Sequence, residues 1–499
     1  MIQYFDTYFL DASKALEEAK KCNKIIGQNP RITFDQICYY NAEKELKNAP
    51  SNCIFVPFEN VYNYFVTTKN RRPTKLNYDN IEISQEERKE FTKAFIDILE
   101  QVEKEREALA EIYKKQIQNF KPNFQDKKLR VLIPSNKETT VMKHISKNIA
   151  NAFEQTGKYE VCHLIQENDM QDMDYLIYYH KVDEFKPHIT FNINHMNNEF
   201  LNEYVYNFIW FQDAMEIVTN NEPLNQRKRD HILCLLPGIK NVLENKGAKN
   251  TQLQDFCIDT SIYKKRPEIK KEKKVVFIGG SYKNNTMPYE NALKLNNIEE
   301  TISEETKEDI IQELLDIYKT QGTFYLEQIK FLARKFKCSI QYFNSYAIPL
   351  VIRDYTLLEL VKNNIDYELE IYGWGWEEYE ELKPYYKGVL NYGEDISKVY
   401  NSATYAIVTH PSYTIQQRTL ESLASNCTAL VYDCTKNYLL EGESYKDEFL
   451  LFKNLEELFK ILKEEPKVKI SKKLIEEFSY ANLVNKVEKT ILEDTNSEK

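Results

Sequence analysis

From Lys128 onward the chain repeats one texture twice: a short apolar run, a polar turn, then a spacer long enough for a helix. Short apolar runs spaced this way predict βαβ units, and βαβ units predict a parallel sheet. The first stretch has such runs at Leu129–Pro134, Tyr159–Ile165, Tyr175–Tyr179, Ile189–Ile193 and Phe208–Phe211. A helix is predicted over Val141–Gln155, stopped by Gly157. A charged stretch, Lys264–Lys274, then interrupts the pattern. Pro267, Glu268 and Glu272 dilute its cations, so it reads as an exposed interdomain linker rather than a phosphate or membrane-surface patch. The second stretch begins with the strand Val275–Ile278, which runs straight into Gly279-Gly280-Ser281. A mostly helical insertion, Asn296–Lys337, follows. Then come strands at Glu368–Tyr372, Val389–Leu390, Thr404–Val408 and Ala429–Tyr432, with helices at Ile396–Asn401, Arg418–Ser425 and Ser471–Leu492. The pattern implies an α/β chain with two successive Rossmann-like halves and a cleft between them.

At 499 residues the chain exceeds one ordinary core. With 42% hydrophobic and 29% charged residues it is globular rather than disordered. The formal charge of −10, with no long basic run, argues against a nucleic-acid partner. No run is apolar enough for a transmembrane segment, and the start of the chain lacks a signal-peptide core. The cysteine count is odd, at nine, and C-x-x-C is absent, which speaks against a disulfide framework or a structural zinc site and for reduced thiols in a cytoplasmic protein.

Residues 1–125 read as a helical N-terminal extension. Their clearest feature is a helix over 85–120, where Phe91, Phe95, Ile98, Val102, Leu109, Tyr113 and Phe120 recur at helical spacing. Ser84 followed by Glu87 resembles a capping box. Such a stripe packs on its own protein first. Its second use would be contact with a partner or a second copy, giving a homodimer through the N-terminal helices.

The residues suited to chemistry sit at strand ends of the second half. His410-Pro411 ends one strand, and the helix that follows opens with Gln417-Arg418-Thr419-Leu420-Glu421. Backbone N–H groups at a helix start favour an anion, and an Arg there can grip diphosphate oxygens in a fork. Glu421, one turn on, is placed to accept from ribose hydroxyls; an ordinary i, i+3 ion pair is the alternative. Gly279, Gly280 and Ser281 follow a strand directly, where glycine permits close backbone approach. With only 12 glycines in the chain, a Gly pair there carries weight. Tyr372-Gly373-Trp374-Gly375-Trp376 also follows a strand and could wall a flat base, or form core beside a turn. Neither G-x-G-x-x-G nor the Walker A pattern occurs, which leaves nicotinamide and ATP readings without their fingerprint.

Taken as an ordered series, Val276-Phe277-Ile278-Gly279-Gly280, Tyr372-Gly373-Trp374-Gly375-Trp376, Tyr392-Gly393, Val399-Tyr400-Asn401, His410-Pro411 and Arg418–Ala424 resemble the C-terminal domain of CgeB-like, spore-maturation-type bacterial glycosyltransferases of the GT-B fold. Asp259-Thr260-Ser261 resembles the segment that precedes that domain, and Trp210-Phe211-Gln212-Asp213 resembles a W-F-x-D segment of the first domain. The resemblance covers roughly 128–460. It implies two Rossmann-like domains facing a cleft: 126–262 for the acceptor and 275–470 for the nucleotide-sugar, with 471–499 as a C-terminal helix and tail.

The implied activity is transfer of a sugar from a nucleotide-diphosphate donor, such as a UDP-sugar, to a protein, glycan or cell-surface acceptor. No cofactor other than that donor substrate is expected, and no metal. Donor-binding candidates are Gly279, Gly280, Ser281, Tyr372, Trp374, Tyr392, His410, Arg418 and Glu421. Related retaining enzymes flank the donor with two glutamates; Glu421 matches the second, but Tyr413 stands at the first. That departure supports the alternative of a non-catalytic GT-B-like binding or scaffold protein. In the first half the acceptor-side candidates are the loop Ser135–Thr139, His195 and Asp213, and His or Asp suits a general base beside the acceptor hydroxyl; a satisfied structural His and a helix-capping Asp are the alternatives. Asp172-Met173-Asp174 matches a D-x-D metal motif only superficially, because it precedes a strand rather than following one.

Overall fold

The structure is a computed structural model that describes residues 7–28, 37–42, 44–66, 71–78, 83–135, 140–165, 175–220, 222–283, 285–296, 298–411, 414–434 and 446–497. The chain divides into two compact units. Residues up to Asp255, together with those from Val484 onward, form one; Phe256–Leu483 forms the other.

The first unit opens with a small parallel sheet of β1 (Thr7–Phe9), β2 (Cys38–Tyr40), β3 (Cys53–Phe55) and β4 (Lys75–Asn77), in the order β3-β2-β1-β4. The sequence pattern implies only helix here, because strands of three residues are too short to show a period. Helix α1 (Ala12–Gln28) follows β1. Helix α2 (Gln85–Asn119) starts at the expected capping box: Ser84 accepts from the Glu87 N–H, and the Glu87 side chain accepts from the Ser84 N–H. Its stripe is used twice. Phe95 and Val102 pack with Tyr8 and Tyr39 of the small sheet and with Phe65 of the short helix Val61–Val66, while Ala110 and Ile117 pack against the second sheet and its helices.

That second sheet has β5 (Leu129–Ser135), β6 (Tyr159–Ile165), β7 (Ile189–Ile193), β8 (Tyr206–Phe211), β9 (Asp230–Cys234) and β10 (Thr251–Leu253), all parallel, in the order β10-β9-β8-β7-β5-β6. Helix α3 (Thr140–Gln155) crosses from β5 to β6, and Gly157 ends it at φ +70°. Tyr175–Tyr179, expected as a strand, is instead the first half of helix α4 (Tyr175–Phe185). The pattern continues to Phe185 at helical spacing: Tyr178, Val182 and Phe185 recur at i, i+4 and i+7 and join one core. β9 was not anticipated. Its run begins Asp230-His231, and Asp230 is fully buried because Arg227, Asn198 and Asn207 all donate to its carboxylate.

The second unit is built on β11 (Glu272–Ile278), β12 (Glu368–Tyr372), β13 (Ala403–Val408), β14 (Thr428–Tyr432) and β15 (Leu450–Phe452), all parallel, ordered β12-β11-β13-β14-β15. Alternation along β11 buries both of its faces. Val275 and Phe277 join one core with the helical insertion, and Val276 and Ile278 join the other. The insertion holds α5 (Glu304–Thr320), α6 (Leu326–Phe336) and a longer helical run, 340–362, in which α turns alternate with the π turns Phe343–Ala347 and Val351–Tyr355. Pro349, lacking an N–H, lies between those two π turns. The expected strand Val389–Leu390 is absent. The edge of β12 is taken a little earlier, where Lys387 donates to Ile371 at 2.9 Å and Gly373 to Gly388 at 3.0 Å.

The charged stretch 264–274 lies inside this unit rather than between the two. Its end is the start of β11, where Lys274 is buried between Glu272 at 2.9 Å and Glu370 at 3.0 Å. Helices α7 (Glu394–Ser402) and α8 (Gln417–Ala424) cover one face. Helix α9 (Tyr480–Ser497) begins where the Tyr480 N–H meets the Ile258 carbonyl, and its later turns belong to the first unit. There Glu488 receives both Lys158 and Tyr159. Among the described residues no helix is long and apolar enough to cross a membrane. The α/β class, the parallel sheets and the helical N-terminal region are as the sequence implied.

Candidate functional site

In the sheet of the second unit the chain leaves β11 on one side for β12 and returns on the other as β13. Ligands of doubly wound sheets bind outside the carboxyl ends of the strands that flank such a reversal. Here those ends are Gly279-Gly280-Ser281 after β11 and Thr409-His410 after β13.

The first of these loops is held along its whole length. Gly279 N–H donates to the Tyr372 carbonyl at 2.9 Å and Ser281 N–H to the Trp374 carbonyl at 2.8 Å, so the β11–β12 ladder continues past both strands. Trp376, fully buried, donates its indole N–H to the Gly279 carbonyl at 2.7 Å. The approach is close enough that a Cβ on Gly373, at φ +127°, would stand 2.2 Å from the Gly279 oxygen. Tyr372 turns its hydroxyl to Glu370 at 2.8 Å, and Trp374 is partly exposed.

Two residues that the sequence reading passed over organise this end of the sheet. Arg353, in the second π turn, donates to the Gly280 carbonyl at 3.0 Å and to the Thr409 carbonyl at 3.4 Å, which ties the ends of β11 and β13 to one guanidinium. Its guanidinium carbon lies over the Tyr282 ring, 4.2 Å from the centroid. Asp354 is fully buried and accepts from Ser281 Oγ at 2.6 Å, the Tyr282 N–H at 3.1 Å and the Tyr379 hydroxyl at 3.0 Å. Burial pushes its carboxyl up to about 6, against those hydrogen bonds. His410 is driven the other way, to about 3, by burial and then by the Arg353 charge, so its imidazole is neutral. The available signal was the pair of charges inside the largely apolar run Ala347–Leu358, since charges are seldom buried unless engaged.

A second cluster surrounds the start of α8. Gln416, its N-cap residue, makes no side-chain cap, so the first-turn N–H groups have no cap from that side chain. Asn426, at φ +60°, closes the far end in the left-handed region, as glycine would. Arg418 Nη1 lies 2.5 Å from Glu421 Oε2; Glu421 is fully buried and Arg418 is 31% exposed. Gln417 Nε2 donates to the other Glu421 oxygen at 3.0 Å and to the Tyr392 hydroxyl at 3.0 Å. The Tyr263 phenol beside them is raised well above its ordinary value, by burial first and then by the Glu421 charge. Thus Gly279, Gly280, Ser281, the Trp374 carbonyl and His410 gather about Arg353 and Asp354, whereas Tyr392, Arg418 and Glu421 gather with Tyr263 and Gln417.

His195 and Asp213 lie in the first unit, after the neighbouring strands β7 and β8. Both are exposed. Asn194, at φ +62°, bridges the two turns. It donates to Asp213 Oδ2 at 2.8 Å and accepts from the Gln212 N–H at 2.7 Å. Surrounding protein lowers the His195 imidazole from its ordinary value. Residues 136–139, Asp172–Asp174 and Tyr413 lie outside the described residues. Among the described residues no group of three or more His, Cys, Asp or Glu could hold a metal ion.

Fold and site together define a doubly wound α/β domain whose two flanking loops are joined at the switch point by a cation. Residues 353–482 of this domain, which begin at Arg353 and take in His410, Arg418 and Glu421, match a family described as glycosyl transferase-like. Among solved structures the chain is similar to Anabaena HepE in complex with UDP-glucose, at 8% identity over 73% of this chain and 100% of that one, TM-score 0.39. It is also similar to sucrose-phosphate synthase from Thermosynechococcus elongatus, at 8% identity over 68% of this chain and 89% of that one, TM-score 0.38. Among curated proteins none matches.

Proposed function

We propose that this chain is a GT-B glycosyltransferase of the CgeB-like kind, moving a sugar from a nucleotide-diphosphate donor to a protein or glycan hydroxyl. One observation carries the reading: a single guanidinium holds both strand ends of a switch point, inside a segment that matches a glycosyl transferase-like family. The donor's diphosphate would lie against Gly279, Gly280 and Ser281, facing the uncapped start of α8. His410, Tyr372, Trp374, Tyr392, Arg418 and Glu421 supply the rest of the donor side.

In the reaction the bond from the sugar's anomeric carbon to the diphosphate breaks, a new one forms to the acceptor oxygen, and that oxygen's proton passes to a base. His195, kept neutral by its lowered pKa, and Asp213 are the groups we assign to that base. The leaving charge is met by guanidinium and backbone N–H donors, a metal-independent scheme. We place the enzyme in the cytoplasm.

The test is nucleotide release from UDP-, GDP- and dTDP-sugars, with and without EDTA. Turnover that survives EDTA and is lost in Arg418→Ala supports the enzyme. Nucleotide binding without turnover of any donor supports the non-catalytic binding protein instead.

A further inference from the structure

We propose that Arg353, delivered by the helical insertion, is the cation that takes the donor's diphosphate. The inference rests on the donor-site reading above, in which this guanidinium bridges two strand ends, and gives it a ligand of its own.

Three observations single it out. Its guanidinium bonds only main-chain carbonyls, of Gly280 and Thr409, and among the described residues it makes no ion pair. Its Nε is buried with no partner, as is the neighbouring Thr409 Oγ1. The adjacent carboxylate is already occupied, because Asp354 accepts from Ser281, Tyr282 and Tyr379. The Asp354 charge reaches the guanidinium without forming an ion-pair contact to it, and a half-buried cation with no such contact gains when an anion arrives. Arg418 is in the opposite position, because the fully buried Glu421 already answers its charge at 2.5 Å. Neutral His410 adds no competing cation beside Arg353. The Tyr282 ring lies 4.2 Å from the guanidinium carbon, and each Nη carries a second N–H beyond its carbonyl bond, which leaves a forked contact to phosphate oxygens open.

Titration calorimetry of the full chain with UDP, UMP, uridine and inorganic pyrophosphate tests this. For Arg353→Met the expected result is a loss of about 10- to 100-fold for UDP and pyrophosphate, the size of a lost charge-assisted contact. UMP should lose less and uridine nothing, so the preference for UDP over UMP collapses. Arg353→Lys, which keeps the charge without the fork, should fall between. An unchanged UDP-to-UMP ratio in Arg353→Met overturns the inference while leaving the donor site standing. Equal loss of all three uridine ligands also overturns it, since Arg353 would then be only a clamp between loops. If the wild-type chain binds pyrophosphate through Arg353 but no nucleotide, the anion site stands and the nucleotide reading fails. If it binds none of the probes, both fail.

Discussion

Arg418 and Glu421, three residues apart on α8, form an ion pair in which the carboxylate is fully buried and the guanidinium remains 31% exposed. Sequence spacing alone fits an exposed pair worth a few tenths of a kcal/mol (about 0.3–0.5). Burial changes the scale. Glu421→Ala strands the Arg418 charge and removes the acceptor of Gln417, and should destabilise the chain by about 1–3 kcal/mol. Urea unfolding measures this. A loss under about 0.5 kcal/mol would mean the pair is a surface ornament.

The two glycines that flank the extended β11–β12 ladder make a controlled comparison. Gly373→Ala places a Cβ 2.2 Å from the Gly279 carbonyl oxygen, whereas Gly388, at φ +92°, has nothing within 4 Å. Both substitutions strain the backbone, by about 1–2 kcal/mol. Only Gly373→Ala must also push the Gly279–Ser281 loop aside. It should therefore lose more stability than Gly388→Ala and lose nucleotide binding as well. Equal effects on both counts would contradict the close approach.

Asp354 gives a pH signature. Its carboxyl is raised from 3.8 to about 6 in the folded chain. Between those values the folded state holds a proton that the unfolded state has released, so this residue's contribution to stability falls as pH rises, by up to about 3 kcal/mol. The difference in unfolding free energy between wild type and Asp354→Asn isolates it from other carboxylates. Wild type should lose ground to the variant from about pH 4 to pH 6 and hold level above that. A difference that stays flat over the window would show the carboxyl is not perturbed.

The long helix α2 separates pattern from packing. Val102 and Leu109 both lie on the stripe read from sequence, yet Val102 is fully buried and Leu109 is 38% exposed. Val102→Ala should cost about 1–3 kcal/mol through lost burial and the cavity left behind, and Leu109→Ala within about 0.5 kcal/mol. A large effect at Leu109 would place it against a partner chain, and sedimentation of the wild-type protein would then show the homodimer.

What the sequence disclosed follows from length and contrast. The apolar runs within β5, β6 and β11, the capped helix α2 and the stop at Gly157 were legible because each is a continuous apolar run between turns, repeats a helical period or carries a specific terminus. The strands of the N-terminal sheet, three residues each, hold no period to read. Tyr175–Tyr179 was ambiguous because an all-apolar run fits strand and buried helix alike. At the site, Gly279, Gly280, Ser281 and His410 were legible because strand ends in a doubly wound sheet are where ligands bind. Arg353 and Asp354 were not, because they come from a helix inside an insertion, with no motif. Only topology brings them to the ends of β11 and β13.

The claim that a nucleoside diphosphate binds at the switch point of the second unit is tested most directly by melting the full chain in the presence of UDP, GDP and dTDP. At 100 times its Kd, one diphosphate should stabilise the chain by about 2.7 kcal/mol and raise Tm by about 5 °C. In Arg353→Met, at the same ligand concentration, the 10- to 100-fold weaker binding should cut that rise to about 1–3 °C. A Tm that none of the three diphosphates moves would contradict the account.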